Sequence, residues 1–243
     1  MDKGTKGTEI VTLSDYAIAK IGNDAVGSLL NGNLGGSQLQ VSDLPKVKIP
    51  TGGSTTWLVP PDDAPAKDVE GIVVYQHDLR AMFAQNENGG ISNDPPLCTS
   101  DDAKVGRGVP GGDCSRCVNA MYGSAGAGKK GQACKSMHRI YLLAQGSVLP
   151  LVLTLSPSSL AAWRKYMIAL VNDRHVVSSV VTRIGLEKVM GGVAPYARIV
   201  PSMVRVLDES EQKFVDEYVA GLVPTLRAAP YAASDDEQLE VAA

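Results

Sequence analysis

Polar and apolar positions alternate along Lys46-Val47-Lys48-Ile49. A β-rich run follows, Thr55-Thr56-Trp57-Leu58-Val59, which stops at Pro60-Pro61. The strongest apolar stretch of the first half is Gly71-Ile72-Val73-Val74-Tyr75-Gln76. Short β-branched and aromatic runs bounded by Gly and Pro read as strands, so three are predicted here. Arg139–Leu143 and Leu149–Leu155 predict two more, joined by a turn at Gly146-Ser147. Ser156-Pro157-Ser158-Ser159 has the Ser and Pro of a helix start. From there a helix is predicted to about Val171, with Leu160, Trp163, Met167 and Leu170 on one face. Strands over His175–Leu186 and Tyr196–Leu207 follow, with a turn at Gly191-Gly192. Asp208 or Ser210 then caps a last helix to about Leu226, whose apolar face is Phe214, Tyr218, Leu222 and Val223.

Two stretches break this regularity. Residues 1–44 are rich in Gly, Ser and Asn and predict an arm; Ser14–Leu30 reads as an amphipathic helix broken by the run Asn31–Ser37. Residues 84–136 have no hydrophobic period at all. So long a structureless stretch inside a domain needs something to organise it. The resulting plan is an arm over 1–44, a domain over 45–227 carrying an insertion at 84–136, and an acidic, disordered tail over 228–243. Strands do not alternate strictly with helices, which argues against a doubly wound parallel sheet. About five main strands with one helix before the last pair predict a mainly β, α+β protein: an OB-type Greek-key barrel with an insertion and a C-terminal helix.

The insertion holds all four cysteines, spaced Cys98-x15-Cys114-x2-Cys117-x16-Cys134. A Cys-x2-Cys knuckle gives one metal ion two thiolates and two outer Cys complete a tetrahedral set, which describes a closed, structural zinc site. An iron–sulfur cluster stays open as the other metal reading. His138 could compete as a ligand. Disulfides are disfavoured in a reducing compartment, and a redox Cys-x-x-Cys belongs at a helix start after a strand. No apolar signal segment or 18-residue apolar run is visible, so the expected setting is the cytoplasm, with no membrane contact. In a chain of 243 residues, 44 % hydrophobic, only two Phe and two Trp are present beside eight Tyr, so Val, Leu, Ile, Ala and Met must build the core.

Charge changes the picture more than the net value of −3 suggests. Cys98–Arg139 carries seven basic and three acidic side chains, whereas Asp208–Ala243 carries nine acidic and two basic. A basic middle and an acidic end point to an anionic partner. Gly123–Lys130 imitates the start of a phosphate-binding loop, but Lys130 stands where the Mg²⁺-binding Ser or Thr belongs. Cysteines, not a strand and a helix, flank it. It reads instead as a flexible basic loop. His77, His138 and His175 have no metal-ligand spacing, no nucleophile elbow is present, and Asp62-Asp63 and Asp101-Asp102 fall in turns. Nothing asks for an enzyme.

Cys114-Ser115-Arg116-Cys117-Val118-Asn119-Ala120-Met121-Tyr122-Gly123-Ser124, then Lys129-Lys130-Gly131-Gln132-Ala133-Cys134-Lys135, a Pro-containing strand and Ser-Ser-Leu helix start over Leu149–Leu160, and Val181-Thr182-Arg183-Ile184, together resemble a bacteriophage family over about residues 45–207. That family comprises OB-fold single-stranded DNA-binding proteins of phage replication and recombination, which contain zinc held by four cysteines. Its members usually have Trp where Tyr122 stands. The resemblance implies a sequence-nonspecific protein that coats and protects single-stranded DNA in the host cytoplasm. Such binding needs cations along a groove and aromatic faces for bases. Candidate cations are Lys46, Lys48, Arg80, Lys129, Lys130, Arg139, Arg183 and Arg198; candidate stacking residues are Trp57, Tyr75, Tyr122 and Tyr141. Trp57 and Tyr75 could equally be core, and Trp163 is expected there. The acidic tail could compete with DNA for the groove or recruit replication and recombination proteins, and self-association is open. The competing reading is a zinc-ribbon interaction module, a transcription or assembly factor, that contacts protein only.

Overall fold

In a computed structural model of the chain, residues 23–35, 37, 39–85, 92, 94–126, 131–191 and 194–228 are described. The tail beyond Ala228, Lys129 and Lys130 of the basic loop, and the predicted N-terminal helix before Asn23 lie outside these residues.

The elements run in chain order as α1 (Asn23–Leu34), β1 (Lys46–Val47), β2 (Trp57–Val59), β3 (Ala64–Ala66), β4 (Asp68–Met82), β5 (Cys98–Ser100), β6 (Val105–Gly108), β7 (Gly112–Asp113), β8 (Cys134–Leu143), β9 (Leu151–Leu155), α2 (Pro157–Asn172), β10 (Val180–Met190), β11 (Pro195–Val206) and α3 (Glu209–Ala228). Sheet dominates a mixed α+β protein that ends its described part in a helix. β2 and β3 form a separate hairpin; the other nine strands form one sheet.

β4 organises that sheet. It pairs antiparallel with β8 along Ile72–Met82, and on its other side with β10 over Asp68–Ile72 and β5 over Arg80–Met82. The sheet therefore forks, with β10–β11 on one branch and β5–β6–β7 on the other. β4 changes partners at Gly71, where a Cβ would lie 2.6 Å from the Leu143 carbonyl oxygen, so only glycine admits the close approach. The expected barrel does not close. β9 pairs on its outer side with the two residues of β1, and β11 pairs only with β10.

Helices cover both faces. Ser156 and Pro157 start α2, although the Ser156 side chain makes no capping hydrogen bond. Trp163, Tyr166 and Leu170 of α2 bury against Val73, Ile140 and Leu153. The α2 end is closed by Arg174 at φ 64 and a His175 N–H donating to the Leu170 carbonyl at 2.8 Å. On the opposite face Val215, Tyr218, Leu222 and Leu226 of α3 bury against Ile72, Tyr141 and Val181. Asp208 is the cap of α3: its carboxylate accepts from the Glu211 N–H at 2.8 Å, and Glu211 accepts from the Asp208 N–H at 3.0 Å.

Four expectations change. α1 runs through Asn31-Gly32 to Leu34 and ends at Gly35 (φ 59). Leu39 and Leu44, within the segment expected to form an arm, are buried in the α3-side cluster together with partly buried Leu30 and Leu34. The insertion is not structureless: it contains β5, β6, β7 and a 3-10 turn at Val118–Ala120. β4 is fifteen residues long, extending well past Gln76.

Candidate metal centre and nucleic-acid interface

A bulge fixes which side chains of β4 meet the cysteines. The β4–β8 register slips between Val73 and Tyr75, leaving Val74 as the extra residue. Val73 then packs on the α2 side, while Val74 and Tyr75 both lie on the α3 side. Beyond the bulge, Gln76, Asp78, Arg80 and Met82 share the α2-side face. Paired residues on neighbouring strands point the same way. Met82 is opposite Cys98 on β5 and Cys134 on β8, so these three form one row. Arg80, opposite Ser100 and Ser136, forms the next. Two cysteines 36 positions apart in sequence thus flank a single strand.

The knuckle is brought to them by turns. The Cys114 N–H donates to the Lys104 carbonyl at 2.8 Å, tying it to β6. Asp113 accepts from the Ser115 N–H at 2.9 Å and the Ser115 hydroxyl at 2.7 Å, and the Ala120 N–H donates to the Cys117 carbonyl at 3.0 Å. The Asp102 carboxylate accepts from the Lys104 and Val105 N–H groups at 2.8 and 2.9 Å, which hold its pKa below the usual carboxylate value. At Gly108 (φ 102) a Cβ would stand 2.2 Å from the Leu97 carbonyl oxygen, so the β5–β6 contact needs glycine.

Cys98, Cys114 and Cys134 are buried and Cys117 partly so. Burial pushes the Cys134 thiol up to about 11; Arg80 pulls it back, and the other three cysteines add to the rise. The other three cysteines thus lie within electrostatic reach of Cys134. Among the described residues, however, no group of three or more His, Cys, Asp or Glu is arranged to hold a metal ion as it stands. By type the donors suit a soft ion: four thiols, three of them buried, and in the neighbouring row a buried Arg80 Nη1 that has no hydrogen-bond partner. His138 is committed elsewhere. Its Nδ1 faces an Asp78 carboxylate oxygen at 2.7 Å and its Nε2 faces Gln76 Oε1 at 2.9 Å, which also accepts from Trp163 Nε1 at 2.9 Å.

The nucleic-acid candidates divide. Tyr122 is 76 % exposed on the knuckle, beside exposed Val118 and Met121. Lys48 is exposed and Lys46 partly exposed. Trp57 is corrected to core: it has no exposed surface, and its Nε1 donates to the Ile184 carbonyl at 3.0 Å. Tyr141 (1 % exposed) and Arg139 (3 %) are likewise buried, so neither offers a surface in this conformation. Tyr75 is partly exposed and stacks on His77, with ring centres 5.4 Å apart, under the Arg227 guanidinium. Arg183 pairs with Glu70, and Arg198 with Glu187 at 2.8 Å. Sequence reasoning missed His77, whose Nδ1 donates to the Asp101 carbonyl at 2.7 Å and whose pKa is lowered by burial and then by Arg139. Its i, i+2 relation to Tyr75 was the available signal. Lys104, Arg107 and Arg116, counted in the basic middle of the chain but not among the candidate cations, are exposed on the insertion.

Comparison with known proteins gives no match: no family model, no curated protein and no solved structure matches this chain. Among the described residues, no helix is long and apolar enough to cross a membrane.

Proposed function

We propose that this chain binds single-stranded DNA without sequence preference, in the manner of the phage replication and recombination proteins it resembles, and that its four cysteines hold one structural zinc ion. The observation that carries this reading is where the insertion emerges. β4, β8, β9, α2, β10 and β11 follow one another as five strands with a helix after the third, and the first strand pairs with both the second and the fourth. That connectivity supports an open OB-type sheet, whose binding surface is built from strands two and three and the loops between strands one and two and between four and five. The cysteine insertion is the first of those loops. It turns its thiols inward and Tyr122 outward, with Lys104, Arg107 and Arg116 exposed around it. α3 packs against Tyr141 on the strand face, so the loop surface, not the strand face, is the proposed contact.

Zinc would be held by Cys98, Cys114, Cys117 and Cys134 and would supply the cross-links that this stretch lacks in apolar core. The competing role, a zinc module that docks on protein, draws on the exposed Val118 and Met121, which suit either a base or an apolar side chain. Fluorescence anisotropy of labelled oligo-dT over a salt series separates the two, with duplex DNA as control. Tight, steeply salt-dependent binding to the single strand is expected, because each phosphate contact contributes about 0.7 to the slope. No binding at low salt by the zinc-loaded protein overturns the DNA reading and leaves the protein-docking one.

A further inference from the structure

Arg80 was a candidate phosphate contact by sequence, yet its position assigns it elsewhere. It stands on the centre strand of three, in the row next to the one formed by Cys98, Met82 and Cys134, on the same face of the sheet. Its Nη1 is buried and has no hydrogen-bond partner. Ser100 beside it is already used, donating its hydroxyl to Asp102 at 3.0 Å. Ser136, on the other side, donates to Gln132 at 3.3 Å. A buried guanidinium nitrogen without an acceptor is costly, and so is a buried anion without a cation.

We infer that Arg80 is the positioning cation of the metal centre: its guanidinium donates to the thiolates of Cys98 and Cys134 and balances the formal double negative charge of a zinc ion bound by four of them. This rests on the zinc reading above and deepens it. One contact would satisfy the Arg80 Nη1 and offset the charge of the thiolate-bound zinc. Asp78, one row further on, faces His138, so it does not neutralise Arg80 first. A partner of this kind orients ligands without touching the metal, and its loss costs metal affinity roughly 10–100-fold.

The test uses the full chain, comparing wild type, Arg80→Gln and Arg80→Lys. Zinc content, competition with a chromophoric chelator and the thiolate-to-cobalt(II) charge-transfer band are measured, with oligo-dT binding over a salt series alongside. Arg80→Gln keeps the length and an N–H donor but removes the charge. It is expected to bind zinc roughly 10–100-fold more weakly, to keep a four-thiolate cobalt band that is shifted in energy, and to leave the salt slope unchanged. Arg80→Lys is expected to recover part of the affinity. Equal zinc affinity in wild type and Arg80→Gln overturns the inference, as does a lowered salt slope with intact zinc binding, which would make Arg80 a phosphate contact. A wild-type chain that binds no zinc overturns the zinc reading itself, and is told apart because the wild type, not the variant, fails. If Arg80→Gln does not fold even with excess zinc, Arg80→Met replaces it as the uncharged variant, and zinc affinity no better in Arg80→Lys than in Arg80→Met overturns a role for charge.

Discussion

The two ends of β4 are stabilised in different ways. Near Asp68–Tyr75 the strand lies between two helices, and burial on both faces does the holding: Trp163 and Leu170 on one side, Val215 and Leu222 on the other. Near Leu79–Met82 the apolar cluster shrinks to Leu79, Ala81, Phe83 and Met137. What lies beyond is a set of short strands, joined by glycine-bearing and carboxylate-capped turns, that carries the cysteines. The first region can be stable on burial alone, at about 25 cal/mol per Å² of apolar surface. The second buries a smaller apolar cluster, so the zinc proposed above would contribute its folding energy there. A protein divided this way can present a polar, shaped loop without thinning its core.

The largest break in that comparison is Cys117→Ala. Zinc content is expected to fall from one per chain to none, and amide hydrogens over 98–134 to lose protection while those of α2 and α3 keep theirs. Global unfolding would show that the two regions are a single cooperative unit. Trp163→Ala attacks the other region. Loss of a buried indole, with its hydrogen bond to Gln76, is expected to cost about 3–5 kcal/mol in denaturant unfolding, with zinc still bound. A loss under about 1 kcal/mol would contradict the packing described for α2. Tyr122→Ala touches neither support. It is expected to leave stability unchanged and weaken oligo-dT binding by about 1–3 kcal/mol if one base stacks there. Unchanged affinity would move the contact away from the knuckle.

The smallest effect is at Glu211. Arg205 donates two hydrogen bonds to its carboxylate, at 2.6 and 2.7 Å, and this first of all holds its pKa below the usual value for Glu. The folded state therefore keeps Glu211 charged to lower pH than the unfolded chain does. Its contribution is complete above the ordinary Glu range and is lost as pH falls through the lowered folded value. Glu211→Gln is expected to cost about 0.5–1 kcal/mol at neutral pH, with the gap from wild type closing in acid; thermal melts across that range check it.

Helix α2 was legible because its apolar residues repeat at three and four after a Ser-Pro start. The last two long strands were legible from their Val and Ile runs on either side of Gly191-Gly192, although the first starts at Val180, after a 3-10 turn, and not at His175. β4 was only half legible. Beyond Tyr75 it reads Gln-His-Asp-Leu-Arg, which has no apolar alternation, and it is a strand because β8 pairs with it along that length. Trp57 shows the limit for the site. Its chemistry suited base stacking as well as burial, and an Ile184 carbonyl 127 positions away decided for burial. Conversely, Tyr122 was nominated from its neighbours in sequence, and its exposure comes from the turns that carry it outward.

Sequence alone determined the local matters: where helices start, where strands must break, and that four cysteines share one polar stretch. Those follow from backbone propensity and spacing, which neighbouring residues set. Tertiary structure decided the matters of pairing. The bulge at Val74 chose which face of β4 meets the cysteines, the failure of β9 and β11 to pair left the barrel open, and the shared strand put Met82 between Cys98 and Cys134, with Arg80 in the next row on the same face. These depend on contacts between residues tens of positions apart, whose registers no local pattern encodes.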